Sequence, residues 1–195
     1  MRHLGTVPLE TPRLILRRLS PSDAIAMYET WTKDPAVSRF LRWEPHKDWI
    51  ETAQLLAAWN CLYKNDDYYQ WAICLKSSGA LIGGISIIES EEQAPDAWCK
   101  PGLDFSAGVW EPGYCLGRAF WNQGYTTEAL QAVRDFWFEQ ANGPWLACCH
   151  AVENPASGRV MQKAGWQFDH AAVYHKFDGT PVDCRAYYLV NPNRN

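Results

Sequence analysis

No apolar run in this 195-residue sequence approaches the roughly 18 residues that a membrane helix needs. The N-terminal stretch "MRHLGTVPLETPRLIL" also lacks the continuous apolar core of a secretory signal. There is no excess of positive charge: the formal net charge is −4, which argues against a general nucleic-acid binder, since those carry a basic face. No cysteine pair has C-x-x-C spacing, and seven is an odd number, so the thiols are expected to be reduced and the protein cytoplasmic. Cys148, Cys149, His150 and Cys184 match no zinc spacing, so no metal is expected and burial in strands is the better reading for them. A Walker-type loop is excluded because G-K-S/T is absent, and a dinucleotide fingerprint because G-x-G-x-x-G is absent. There is no repeat, low-complexity tract or sign of a second domain, and the length suits one domain over residues 1–195.

What is present is an ordinary globular composition, 47% hydrophobic and 21% charged, which places the chain outside the disordered class. The pattern alternates strand and helix. "RLILRRL", Arg13 to Leu19, reads as a strand, and "SPSD" then opens a helix running through Met27 and Tyr28 toward Trp31, with Ser20 as cap. A second helix is predicted from about His46 to Tyr63. "YYQWAICL" and "ALIGGISII" read as strands of a hairpin, followed by a long surface loop from Glu89 to Gly108. In "VWEPGYCLG", Val109 to Gly117, Pro112 and Gly113 would interrupt a ladder, so a bulge or a splayed edge is expected.

"FWNQGYTTEAL", Phe120 to Leu130, then makes a glycine turn into a helix whose stripe is Leu130, Val133, Trp137 and Ala141, ended by "NGP". "WLACCHAV" is a buried strand. In "NPASGRVMQKAG", Asn154 caps a helix with Pro155 at its first position and Gly165 past its end. Two strands, about Phe168 to Phe177 and Val182 to Val190, close the chain around "DGT".

The turn at Gly124 has two readings on spacing alone. It is a plain helix start, or it is a place where bare amides and the positive helix end hold a phosphate, with glycine allowing close approach.

Two stretches bear on that choice. Trp121 to Ala129, "WNQGYTTEA", is similar to W-G-K/Q-G-Y-A/M-T-E-A, and Asn154 to Trp166, "NPASGRVMQKAGW", to N-x-x-S-x-R-V-x-x-K-x-G-F/W. Both patterns belong to the GNAT superfamily of N-acetyltransferases, in its ribosomal-protein N-terminal acetyltransferase subgroup, which "LETPRLILRRL" and "WEPH" also resemble. The resemblance spans nearly the whole chain. It implies an α/β (α+β) GNAT fold, a mixed, mostly antiparallel sheet of about seven strands splayed near the fourth and flanked by about four helices. It further implies acetyl-CoA as cosubstrate, a primary-amine acceptor on a small molecule or a protein N-terminus, no nucleic-acid or membrane partner, and a monomer or homodimer.

By the same resemblance, main-chain groups of Cys115 and Leu116 would face the pantetheine arm and the thioester carbonyl. The loop Trp121, Asn122, Gln123, Gly124, Tyr125, Thr126 and Thr127 would hold the pyrophosphate, with Thr126, larger than the usual glycine or alanine, narrowing its approach. Asn154 would bond a pantetheine amide, cap the helix, or do both, and Ser157 would give the thiolate its proton, weighed against an exposed serine of no consequence. Cys115, Cys148 and Cys149 are read as packing residues, because attack by the amine is direct. Glu111 is a candidate base weighed against a solvated surface glutamate; Asp104 and His46 are weaker candidates. Trp31, Trp43 and Trp49 either pack the core or line an aromatic acceptor cleft. Two other classes remain as alternatives, a non-catalytic acyl-CoA-binding module and an aromatic-rich interaction domain without cofactor.

Overall fold

The computed structural model describes residues 1–90 and 95–194. Among these residues, eight strands form two sheets. The first holds β1 (Leu9–Glu10), β2 (Leu14–Arg17), β3 (Tyr69–Leu75), β4 (Leu81–Glu89) and β5 (Trp110–Leu116) in that order. The second holds β6 (Trp145–Ala151), β7 (Gln167–His175) and β8 (Pro181–Val190) in the order β6-β8-β7. Each hydrogen-bonded pair in these ladders is antiparallel. The sheet of about seven strands expected from the sequence, splayed near its fourth strand, is thus open between β5 and β6, with a two-residue strand added at the start.

Of the two outcomes expected at Pro112 and Gly113, the splayed edge is found and the bulge is not. β5 stays in register with β4 throughout, from Gly83 opposite Leu116 to Glu89 opposite Trp110, with Pro112 opposite Ile87. The Pro112 carbonyl accepts from the Cys148 thiol of β6 at 3.4 Å. The N and C=O of a strand residue point to the same side, so the missing N–H of Pro112 also faces β6, and the β4 ladder loses nothing. Proline thus withholds a ladder bond from one edge only, the edge that is open.

Helices cover both faces. Ser20 opens the first helical segment, its N–H bonding the Asp23 carboxylate at 2.8 Å, while Arg17 forks onto the same carboxylate at 2.8 Å per bond. The segment is less regular than expected: a 3₁₀ turn at Pro21–Asp23, α1 (Ala24–Met27) and a π turn at Tyr28–Thr32. A short α2 (Pro35–Ser38) follows. The helix expected from His46 starts later as α3 (Trp49–Leu62), because Asp48 caps it by accepting from the amides of Ile50 and Glu51 at 2.9 and 3.0 Å. Next come α4 (Tyr125–Asp135), prolonged by a π turn at Phe136–Gln140, and α5 (Pro155–Lys163). Leu130, Val133, Trp137 and Ala141 are all completely buried, as the stripe predicts, and Asn142 ends the segment in the left-handed region at φ +53°.

Alternation along β5 then decides which core cluster each side chain joins. Trp110 and Leu116 join the core formed with α4, whereas Cys115 packs toward the cluster of Met27 and Leu56 under α1 and α3.

Part of the expected Glu89–Gly108 loop, residues 91–94, lies outside the described residues. The rest is anchored: Trp98 packs edge-on against Trp145 at 5.0 Å, and the amides of Cys99 and Lys100 bond the Asp169 carboxylate at 2.7 and 2.8 Å.

Candidate active site

The turn before α4 is built by Arg13 and Glu128. Glu128 accepts from the Thr11 hydroxyl at 2.6 Å, from the Arg13 amide at 2.9 Å and from Arg13 Nε at 2.6 Å. Arg13 also donates to the Gln123 carbonyl at 2.9 Å, and its guanidinium lies 4.5 Å from the centre of the Tyr125 ring. Burial acts to raise the Glu128 pKa, but the bonds from Thr11 and Arg13 outweigh it and hold the carboxylate below its ordinary value. This clamp gives the T-P-R between β1 and β2 and the T-E-A of the turn one shared physical role.

Gly124 takes φ +82°, a left-handed conformation that favours glycine, and α4 has no side-chain cap. The first amides of α4 therefore stand at an exposed glycine with no internal partner. They border a cavity of about 340 Å³ lined by Leu116, Trp121, Asn122, Gly124 and Tyr125 to Thr127 on one side. Asn154, Ser157, Arg159 and Lys163 line the other. Of the predicted loop, only Gln123 is not in the lining: its main-chain carbonyl is held by Arg13, and its side-chain Nε2 donates to the Ala119 carbonyl at 2.9 Å.

A second cavity, of about 490 Å³, lies on the α1 and α3 side, and Phe40, Leu41, Tyr114 and Cys115 line both. The two thus meet at β5, where it parts from β6. The main chain available at that junction differs from the expectation. Cys115 and Leu116 line the first cavity, but Cys115 lies opposite Gly84, with its carbonyl turned against Gly83. The Leu116 carbonyl accepts from the Trp121 indole at 2.8 Å. By alternation, the main chain facing the gap is that of Tyr114.

Tyr114 is also the side chain that sequence reasoning missed. Its hydroxyl lies 2.8 Å from Ser157 Oγ, and Asn154 Oδ1 accepts from the Ser157 amide at 3.3 Å, so Asn154 does cap α5. Burial pushes the Tyr114 phenol well above its usual pKa, against the lowering effect of its bond to Ser157. Burial likewise lifts the Cys115 thiol to about 12. Arg159 and Lys163, four residues apart on one face of α5, were legible as the R and K of the second motif but had been given no role.

The candidate bases separate. Glu111 is no solvated surface group: it is 7% exposed and lines the larger cavity. His46 lines the same cavity, bonds Thr52 Oγ1 at 2.7 Å through Nδ1, and is held below the usual imidazole pKa by burial, against the raising effect of Glu51. Asp104 lies outside both linings and accepts from the Ser106 amide and hydroxyl at 3.0 and 2.5 Å. Trp31 and Trp43 line the larger cavity, Trp49 does not, and Trp59 stands there instead. Cys148 and Cys184 are buried and Cys149 is half-buried; among the described residues no His, Cys, Asp or Glu group could hold a metal.

The model of the acetyltransferase (GNAT) domain family matches residues 13–167. The chain belongs to the GNAT acetyltransferases. This acetyltransferase is 25% identical over 185 residues to YoaA, an uncharacterized N-acetyltransferase of Bacillus subtilis, covering 94% of this chain and 97% of that protein. Its fold superposes on a GNAT-family acetyltransferase from Bacillus anthracis with a TM-score of 0.75, at 20% identity and 95% and 99% coverage. It also superposes on RimL, a ribosomal alpha-N-protein acetyltransferase solved with coenzyme A, with a TM-score of 0.73, 17% identity and 94% and 98% coverage. These likenesses confirm the GNAT fold. Among the described residues, no helix is long and apolar enough to cross a membrane.

Proposed function

We propose that this acetyltransferase moves the acetyl group of acetyl-CoA directly onto a primary amine. In this reading the smaller cavity holds the cosubstrate and the larger one the amine. The observation that carries it is the junction of the two cavities at Tyr114 and Cys115, beside the Tyr114–Ser157 hydroxyl pair.

The donors of the smaller cavity suit a diphosphate thioester. The unpartnered amides of Tyr125, Thr126 and Thr127, with the helix dipole behind them, suit the diphosphate, and Arg159 and Lys163 supply cations. Asn154 and the parted edge of β5 offer polar groups for an amide-bearing arm.

In the transfer step the amine nitrogen forms a bond to the thioester carbon and the C–S bond breaks. The Tyr114 N–H, facing the gap, is the donor for the oxyanion. With the Tyr114 proton on Ser157 Oγ, the serine hydrogen is free to be aimed at the departing sulfur. Glu111, buried in the amine cavity, takes the proton that the nitrogen sheds. No covalent enzyme intermediate is needed, because the Cys115 thiol stays protonated.

Isothermal titration with acetyl-CoA, followed by thiol release against an amine panel, tests the reading. Binding together with amine-dependent thiol release supports it. Absence of acetyl-CoA binding refutes it, and binding without release for any amine would make the protein an acyl-CoA-binding module instead.

A further inference from the structure

The larger cavity has a chemistry of its own that narrows the acceptor. Its walls are aromatic: Trp31, Phe40, Trp43, Trp59, Tyr174 and Phe177 all line it. Glu111 is the one acidic side chain among the described lining residues, and it is buried. A volume of about 490 Å³ falls in the ordinary range of small-ligand sites, about 300–1,000 Å³.

The aromatic wall is built rather than incidental. The β7–β8 hairpin is tied over the segment that carries Phe40 and Trp43. The Tyr174 hydroxyl donates to the Phe40 carbonyl at 2.7 Å, the Phe177 amide donates to the Arg42 carbonyl at 2.9 Å, and Lys176 pairs with Glu44 at 3.2 Å. At the mouth, Phe177 is 79% exposed and Ile88 49% exposed, an apolar rim that gains from covering by an apolar ligand.

We propose that the acceptor is a small aromatic primary amine, a single ring system bearing one ammonium group, with its ring against the aromatic walls and its nitrogen directed to Glu111 and the β5 junction. This rests on the acetyl-transfer reading above. Charge complementarity separates it from other amines. A polyamine or an aminoglycoside carries several cations and would need several carboxylates in place of Arg42 and the tryptophans. A single cation is matched by one carboxylate, and π faces attract it further. A peptide N-terminus would carry its main chain out past Phe177 and Ile88, whose exposed apolar side chains offer it no hydrogen bonds.

Thiol release is measured at saturating acetyl-CoA with phenethylamine, tryptamine, spermidine, an aminoglycoside, and short peptides starting in alanine or serine. In parallel, phenethylamine is titrated calorimetrically into the protein saturated with coenzyme A. The proposal expects kcat/KM for the two aromatic amines to exceed those for spermidine and the peptides by about 100-fold. It also expects Trp59→Ala to raise KM for phenethylamine by about tenfold, with Trp59→Phe recovering most of the loss and acetyl-CoA affinity unchanged. Faster turnover of spermidine, the aminoglycoside or a peptide overturns it, as does the absence of phenethylamine binding to a protein that binds acetyl-CoA normally. Failure to bind acetyl-CoA is a different result, since it removes the acetyl-transfer reading itself.

Discussion

The hydroxyl of Tyr114 lies 2.8 Å from Ser157 Oγ, and so joins the strand edge that parts the two sheets to the first turn of α5. The pair stands where the two cavities meet, and burial keeps the phenol protonated. The serine hydrogen can then be spent on something other than Tyr114.

The first prediction concerns this pair. Tyr114→Phe and Ser157→Ala should each lower kcat by about 10–100-fold, the range of one positioned proton donor, with KM for acetyl-CoA little changed. The raised phenol pKa fixes the sign of the pH effect: a donor that loses its proton only well above 10 gives no alkaline fall in kcat below that pH. Stopped-flow thiol release across pH 6–10, about the range open to assay, checks both; an unchanged kcat for Ser157→Ala removes the serine from the mechanism.

The second concerns the clamp on the turn. Glu128→Gln should weaken the bonds from Thr11 and Arg13, costing about 1–2 kcal/mol of stability, with the Arg13 share discounted because that side chain is half exposed. The Glu128 pKa is lowered in the fold, so its contribution is fully present above the unfolded value near 4.5 and is lost as pH falls through the folded value. Urea unfolding at pH 7 and near pH 3 should therefore show a gap between wild type and Glu128→Gln that narrows in acid. Looser acetyl-CoA binding by the variant at neutral pH would link the clamp to the phosphate loop.

The third concerns Gly124. A β-carbon there must adopt φ +82° and would sit 3.3 Å from Arg13 Nη2, a flexible group that can move aside. Gly124→Val should cost about 1–2 kcal/mol in backbone strain and weaken acetyl-CoA binding well beyond that, because the side chain would stand among the open amides. Calorimetric titration together with thermal unfolding separates the two effects.

Much of this fold was legible in the sequence because periodicity reports burial. The stripe from Leu130 to Ala141 faces the core, and the Asn154 cap and the glycine turn follow local rules. What escaped was long-range. That Pro112 would give the splayed edge rather than the bulge depends on which edge of β5 is unpaired, and the sequence does not mark edges. Tyr114 was missed because its role comes from α5, 43 residues away, and Glu111 looked solvated because its burial is supplied by other elements. Gln123 sat inside the motif, yet it is turned away by Arg13, 110 residues distant. Local patterns named the elements; contacts across the fold decided which atoms face the site.

The last prediction concerns Cys115, whose side chain lies at the junction where an acyl-cysteine route would place a nucleophile. Its pKa is raised to about 12 by burial, so well under one thiol in a thousand is ionised at pH 8. Nucleophilic attack by cysteine requires the thiolate, and direct transfer to the amine then has no competitor at this position. Cys115→Ala should keep kcat within about threefold of wild type, the residual loss reflecting a small cavity against α1 and α3. Intact-protein mass spectrometry after incubation with acetyl-CoA alone should show no acetyl adduct on this residue. An adduct that disappears in Cys115→Ala and on addition of an amine would replace direct attack with a two-step route.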